Sequence, residues 1–169
     1  MEASCIIFDF DKTLTTEEVG MFEINTDIGN KIFGGEERAR MLTTLLTYLN
    51  DNGIYTFIAS RNSRHVITKA LELSGWNEHF TGIFGYENAC SIEHGASQTG
   101  LPLKSGLIRE KVLEAYNISP SNALFIDDDP HNIKDVMRLA CDTIWVEGFG
   151  LGEEDEQRIR DWVDARTIS

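Results

Sequence analysis

The sequence predicts an α/β fold: a doubly wound, mainly parallel five-stranded sheet with helices on both faces. Three observations carry that reading. Five short apolar runs alternate with stretches of helical periodicity, the pattern that right-handed βαβ units produce. The first run is apolar on both parities at 5–8, with Cys5 and Ile7 on one side and Ile6 and Phe8 on the other, so it is covered on both faces and central. The 169 residues hold no internal repeat, no low-complexity tract and no Pro/Gly-rich linker, which suits a single domain, 1–169.

The elements follow in order. "SCIIFDF" (4–10) is the first strand. "EERARMLTTLLTYLNDNG" (36–53) aligns Met41, Leu45, Leu46 and Leu49 on one stripe and reaches Gly53 where a helix stop is expected. "YTFIAS" (55–60) is the second strand. "SRHVITKALELSG" (63–75) is a helix with Ser63 as N-cap and Gly75 as its stop. "FTGIFG" (80–85) is the third strand. "SGLIREKVLEAYN" (105–117) is a helix capped by Ser105, and "ALFID" (123–127) the fourth strand. "PHNIKDVMRLA" (130–140) places Pro130 in a first helical turn. "DTIWVEG" (142–148) is the fifth strand. "GEEDEQRIRDWVDAR" (152–166) opens a last helix with acids, where the dipole favours them. Segments 15–35 and 86–103 are the least patterned and read as loops or small irregular insertions.

Net charge is −13, which argues against a nucleic-acid or anionic-membrane partner. It leaves a phosphorylated substrate open, because a bound cation reverses the local charge. Cys5, Cys90 and Cys141 are widely spaced, with no CxxC, and read as free thiols in a reducing compartment. No basic segment precedes the short N-terminal apolar run, and no apolar stretch nears the roughly 20 residues of a membrane span. The expectation is a cytoplasmic protein.

Ligands of an open parallel sheet bind beyond the carboxyl ends of its strands. Asp9, Asp11 and Thr13 follow the first strand. Ser60, Arg61 and Asn62 follow the second. Asp127, Asp128 and Asp129 end the fourth, with Asn132 one turn on. Lys104 opens the helix before that strand. Taken singly, each has a plainer reading: "DDD" as a solvated turn with an Asp N-cap, Ser60 as a turn residue, Lys104 as a surface lysine. "DFD" reads less well as a solvated strand face, because Cys5 and Ile7 share its parity and are apolar. Together the residues suit phosphoryl transfer to a carboxylate. Carboxylate oxygens make a Mg²⁺ site, one carboxylate attacks phosphorus, a second moves the proton, and a hydroxyl and an ammonium bind phosphate oxygens.

These residues resemble the motifs of the haloacid dehalogenase superfamily of aspartate-nucleophile phosphatases. DxDx[TV] is matched by "DFDKT", the strand ending in Ser or Thr by "YTFIAS", the helix-start lysine by Lys104 in "LPLKSGLIREKVL", and the acid-ended strand by "LFIDDDPHN". The resemblance covers roughly 4–146 and implies a Rossmann-like sheet. It implies Asp9 as nucleophile and Asp11 as general acid/base. It implies Mg²⁺ held by the Asp9 carboxylate, the Asp11 carbonyl and Asp128, with Asp127 the alternative ligand. Ser60, Arg61 and Lys104 would bind phosphate, with Lys111 the rival for the lysine role. Thr13 would shape the turn and Asn132 support the fourth motif. Lys12 stands where the family often has Gly, and serves either substrate guidance or a wet loop. Asp11 itself points to phosphate chemistry, since dehalogenating members lack it.

About twenty residues separate Thr13 from the helix near Glu36, and 43 separate Ser60 from Lys104, too few for a full cap domain. The resemblance therefore implies a capless member with an open site, similar to the magnesium-dependent phosphatases. Its substrate would be a phosphoprotein or a small phosphate ester. Segment 17–35 would supply a short flap, with Phe22 and Phe33 at the mouth or in a small core. Segment 86–103, with Glu93, His94 and Gln98, would form a second wall. Trp76, Phe80 and Trp162 read as core or interface. Three rivals remain: a phospho-acceptor receiver domain, whose motif order differs; a phosphate- or metal-binding module without catalysis; and a phosphotransferase.

Overall fold

The structure is a computed structural model that describes residues 2–20, 29–89 and 104–167. Strand β1 spans Cys5–Phe8 and runs into a tight turn, Phe10–Leu14. Then come α1 (Gly29–Ile32), α2 (Glu36–Asp51), β2 (Tyr55–Ala59), α3 (Arg64–Ser74), β3 (Gly82–Phe84) and α4 (Tyr86–Ala89). Helix α5 (Lys104–Ile108) continues through a wider coil at Arg109–Glu114. β4 (Ala123–Asp127), α6 (Pro130–Met137), β5 (Asp142–Trp145) and α7 (Glu153–Thr167) complete the order.

The sheet order is β3-β2-β1-β4-β5 and every pairing is parallel. β1 is central, as its two-sided apolar pattern requires, and all four of its residues are buried. Ile6 and Phe8 face a core built by α2, α3 and α7, with Leu42, Leu46, Leu71 and Ile159 among its members. Cys5 and Ile7 face the opposite core, with Leu107, Ile108 and Val112 of the α5 coil and Val136 of α6. Helices thus lie on both faces. Among the described residues no helix is long and apolar enough to cross a membrane.

Helix ends follow local chemistry. Ser63 caps α3, its Oγ accepting from the His65 amide at 3.2 Å, and Gly75 ends that helix in the left-handed region at φ 75°. Asp129 caps α6, accepting from the His131 amide at 2.8 Å, with Pro130 in the first turn. Ser105 is not a cap. α5 already includes Lys104, and Ser105 gives both its hydroxyl (2.8 Å) and its amide (2.9 Å) to Asp135. The strands are shorter than the apolar runs, because pairing and not hydrophobicity sets their ends. β3, for example, pairs only over Gly82–Phe84.

Phe33 belongs to the core. It is fully buried, edge-on to Phe10 at 6.3 Å and tilted against Trp76 at 4.4 Å. Trp76 and Phe80 are also core residues, and Trp162 packs partly buried against the same cluster. Phe22, Cys90, Glu93, His94 and Gln98 lie outside the described residues. Cys5 and Cys141 are free and buried.

Candidate active site

The site begins where β1 stops pairing. Asp9 still donates its amide to the Ile126 carbonyl at 2.9 Å, so its side chain leaves the sheet beside the end of β4. The chain then turns sharply. Lys12 adopts φ 60°, which explains why glycine is common at this position in the motif. The turn closes on itself: Thr13 Oγ donates to Asp9 Oδ2 at 3.2 Å, and the Lys12 amide donates to Thr15 Oγ at 3.0 Å.

Lys104 comes in from the start of α5. Its buried Nζ donates to Asp9 Oδ1 at 2.7 Å and to Asp127 Oδ2 at 2.8 Å, and stands 5.7 Å from the Phe125 ring centre. Burial alone would lower its pKa, but Asp127 and Asp9 outweigh that and raise it, so the ammonium is held charged. Lys111 is exposed on the wider coil beyond α5.

Asp127 is fully buried and heavily engaged. It takes Lys104 and the Asn132 amide group (3.0 Å) on Oδ2, and the Asp129 amide (2.9 Å) on Oδ1. Asp128 is half-buried, and its carbonyl is anchored by the Trp145 indole at 2.9 Å. Burial pushes Asp9 well above the usual carboxylate range; Lys104 pulls it down and Asp127 adds to the rise. Burial likewise raises Asp128, and the neighbouring Asp127 adds to the rise.

Ligand oxygens of Asp9, Asp127 and Asp128 lie within 4.8 Å of one another. Three carboxylates therefore face one buried ammonium, and two of them are driven toward the protonated form. A hard divalent cation fits that donor set and would supply the missing charge.

Asp11 is held by a separate set of donors. Its Oδ1 accepts from the Val19 amide at 2.9 Å, and Asn62 Nδ2 reaches both carboxylate oxygens at 3.1 and 3.3 Å. Burial raises its pKa, and the hydrogen bonds from Val19 and Asn62 oppose the rise.

Ser60 is buried at the end of β2, its Oγ accepting from the Asn62 amide at 3.0 Å. Arg61 Nη2 donates to Asn132 Oδ1 at 2.9 Å, and Nη1 lies 3.8 Å from Asp129.

Asp9, Asp11, Ser60, Arg61, Lys104, Asp127, Asp128 and Asn132 all line one pocket of about 160 Å³, which Lys12, Glu18 and Asp129 also border. Thr13 lies behind it, fully buried. A larger groove of about 730 Å³ runs between β5 and α7, past Trp162 and Arg166, and gathers none of these residues.

Sequence reasoning gave Asn62 no role, although it stands two residues after Ser60. It also missed Arg38 and Trp145, whose hydrogen bonds go to main-chain carbonyls, a kind of partner that no residue pattern marks.

No protein-family model matches the chain, and no curated protein matches it. Solved structures do. A haloacid dehalogenase-like hydrolase from Streptococcus pneumoniae aligns over 92% of this chain and 90% of its own, at 15% identity and TM-score 0.56. A beta-phosphoglucomutase from Clostridium difficile aligns over 99% and 100%, at 14% identity and TM-score 0.60. The N-terminal part of a Bacteroides fragilis protein, containing a phosphatase domain complexed with Mg, aligns over 99% of this chain and 40% of its own, at 18% identity and TM-score 0.61. The chain has the haloacid dehalogenase-like fold.

Proposed function

We propose that this protein is a Mg²⁺-dependent phosphatase that hydrolyses a phosphate monoester through an aspartyl-phosphate on Asp9. The carrying observation is the convergence of Asp9, Asp127, Asp128 and Lys104 in one pocket, with burial raising Asp9 and Asp128. Asp9, Asp128 and the Asp11 carbonyl would hold the ion, and Asp127 is the less available ligand because Lys104, Asn132 and Asp129 already occupy its oxygens. Bound Mg²⁺ would supply charge neutralisation between a carboxylate nucleophile and a phosphate dianion.

The residues then divide the work. Asp9 attacks phosphorus, forming a carboxylate–phosphorus bond as the ester P–O bond breaks. Asp11, a carboxyl raised by burial, gives its proton to the leaving oxygen. In the second half Asp11 takes a proton from water as the water oxygen bonds phosphorus, the Asp9–phosphate bond breaks, and inorganic phosphate leaves. Lys104, Ser60 and Arg61 bind the remaining phosphoryl oxygens. On this reading residues 1–169 form one domain without a full cap. The 160 Å³ pocket suits a phosphoryl group whose leaving group, a phosphoprotein side chain or a small alcohol, stays outside.

Hydrolysis of p-nitrophenyl phosphate tests this. Wild type is expected to turn over with Mg²⁺ and stop with EDTA. Asp9→Asn is expected to fall to background, and Asp11→Asn by at least ~100-fold. Full activity in Asp9→Asn sinks the nucleophile assignment. Mg²⁺ binding without turnover of any ester supports a binding module instead. Ester cleavage with phosphate passing to an added alcohol in place of water supports a transferase.

A further inference from the structure

Arg38 lies in the first turn of α2, and in the sequence it passes for one more surface charge in "EERAR". It is half-buried, and among the described residues it makes no ion pair. Every one of its five N–H groups goes instead to a main-chain carbonyl. Nη1 donates to Leu14 (2.5 Å) and Phe33 (2.9 Å). Nη2 donates to Thr13 (3.0 Å) and Leu151 (3.1 Å), and Nε to Leu151 (3.3 Å). Burial lowers its pKa to about 10. It remains charged at neutral pH, so these are charge-assisted bonds, stronger than neutral ones.

The four carbonyls belong to three segments distant in sequence. Thr13 and Leu14 end the turn that carries Asp9 and Asp11. Phe33 follows the segment that departs at Thr16 and returns at Ile32, where the Thr16 amide donates to the Ile32 carbonyl at 3.0 Å. Leu151 lies in the loop between β5 and α7, and its own amide donates to Thr13 O at 2.9 Å.

The backbone leaves a slot for the guanidinium. A Cβ on Gly150 would stand 2.5 Å from Arg38 Nη2, and one on Gly34 would stand 2.7 Å from Arg38 Cδ. Both glycines have positive φ, 98° and 84°. From Arg38 the path to the nucleophile is short: Nη2 to Thr13 O, then Thr13 Oγ to Asp9 Oδ2.

We infer that Arg38 is a positioning residue for the reaction: it clamps the Asp9–Asp11 turn, the base of the 16–32 segment and the 151 loop into one rigid frame, and so sets the aim of the Asp9 carboxylate. The link to catalysis rests on the phosphatase reading; the clamp itself does not. Lysine keeps the charge but has a single nitrogen, which cannot reach four diverging carbonyls.

The test uses the full chain as wild type, Arg38→Lys and Arg38→Ala. Steady-state hydrolysis of p-nitrophenyl phosphate with Mg²⁺ reads the aim, and amide hydrogen exchange reads the clamp. Arg38→Lys is expected to lose ~10–100-fold in kcat, with KM within about threefold, because a small misplacement of a reacting group costs rate and not affinity. Guanidinium at low millimolar concentration is expected to restore part of the kcat of Arg38→Ala, and methylammonium to restore none. The amides of Thr15, Thr16 and Leu151 are expected to exchange ~10-fold faster or more in Arg38→Lys, while those of Leu45 and Leu46 keep the wild-type rate. Wild-type kcat and wild-type exchange in Arg38→Lys overturn the inference. So does a kcat loss accompanied by equal acceleration at Leu45 and Leu46, which marks a purely structural role. If wild type hydrolyses no ester, the phosphatase reading fails, and the exchange pattern still decides whether the clamp exists.

Discussion

Lys12 holds φ 60° with ψ 11°, a conformation that crowds the Cβ of any L-residue by about 1–2 kcal/mol. Its side chain has little to set against that cost, since its ion pair with Glu18 is long, at 3.8 Å, and largely exposed. Lys12→Gly trades the strain against the extra chain entropy of glycine, about 0.5–1 kcal/mol. The expected net is neutral to about 1 kcal/mol stabilising, read as an unchanged or slightly higher Tm in thermal melts; a clear fall in Tm refutes it. Several of the other site residues were visible in sequence because they stand where an apolar run stops. Asp9, Ser60 and Asp127 need only the strand ends to be located. The roles of Asn62, Arg38 and Trp145 were not visible, because most of their partners lie far off in sequence, up to 113 residues away, and only folding supplies them.

The short β3–α4 corner is what holds the Ser60–Ser63 loop in place. The Tyr86 amide donates to Asn62 O at 2.9 Å, and the Glu87 carboxylate accepts from the Ser63 hydroxyl and the Arg64 amide, both at 3.0 Å. These bonds lower the Glu87 pKa. Gly85 makes the approach possible, since a Cβ there would stand 2.4 Å from Arg64 N and 2.8 Å from Asn62 O. Gly85→Ala is therefore expected to cost about 1–3 kcal/mol. The Tm should fall by about 2–4 °C per kcal/mol, and activity should fall as Asn62 and Ser60 shift. An alanine variant with wild-type Tm and wild-type rate would show that the corner is pliable. At this scale the alternation of strands and helices was legible from periodicity, as were the Ser63 and Gly75 helix ends. The strand limits were not, because parallel pairing stops where a neighbour stops, and β3 offers β2 only three residues.

Over the whole molecule, two buried thiols lie in the core beneath the α5–α6 face, Cys5 on the central strand and Cys141 just before β5. Burial raises Cys5 well above its ordinary value and Cys141 from 9.0 to about 11. Between those values the unfolded chain loses the Cys141 proton while the native chain keeps it. Stability is therefore whole below about pH 9 and is lost as pH rises toward 11. Urea unfolding at stepped pH should show this fall, and Cys141→Ala should show a shallower one; parallel curves would rule out the thiol as its source. The central place of β1 was readable from its two apolar parities, but its neighbours were not, because strand order depends on crossovers that no local pattern encodes. That order has a consequence during synthesis. β1 pairs with β2 some 50 residues on and with β4 only after about 118, at the register Cys5↔Ala123. A nascent chain ending near residue 103 carries Asp9 and Asp11 but neither Lys104 nor the second acid cluster, and the β4 side of its most apolar strand is bare. The β1–β4 pairing, which waits until residues 123–127 have been made, thus both hides that edge from other growing chains and brings the second acid cluster to the pocket, so a product truncated before it leaves an aggregation-prone edge exposed.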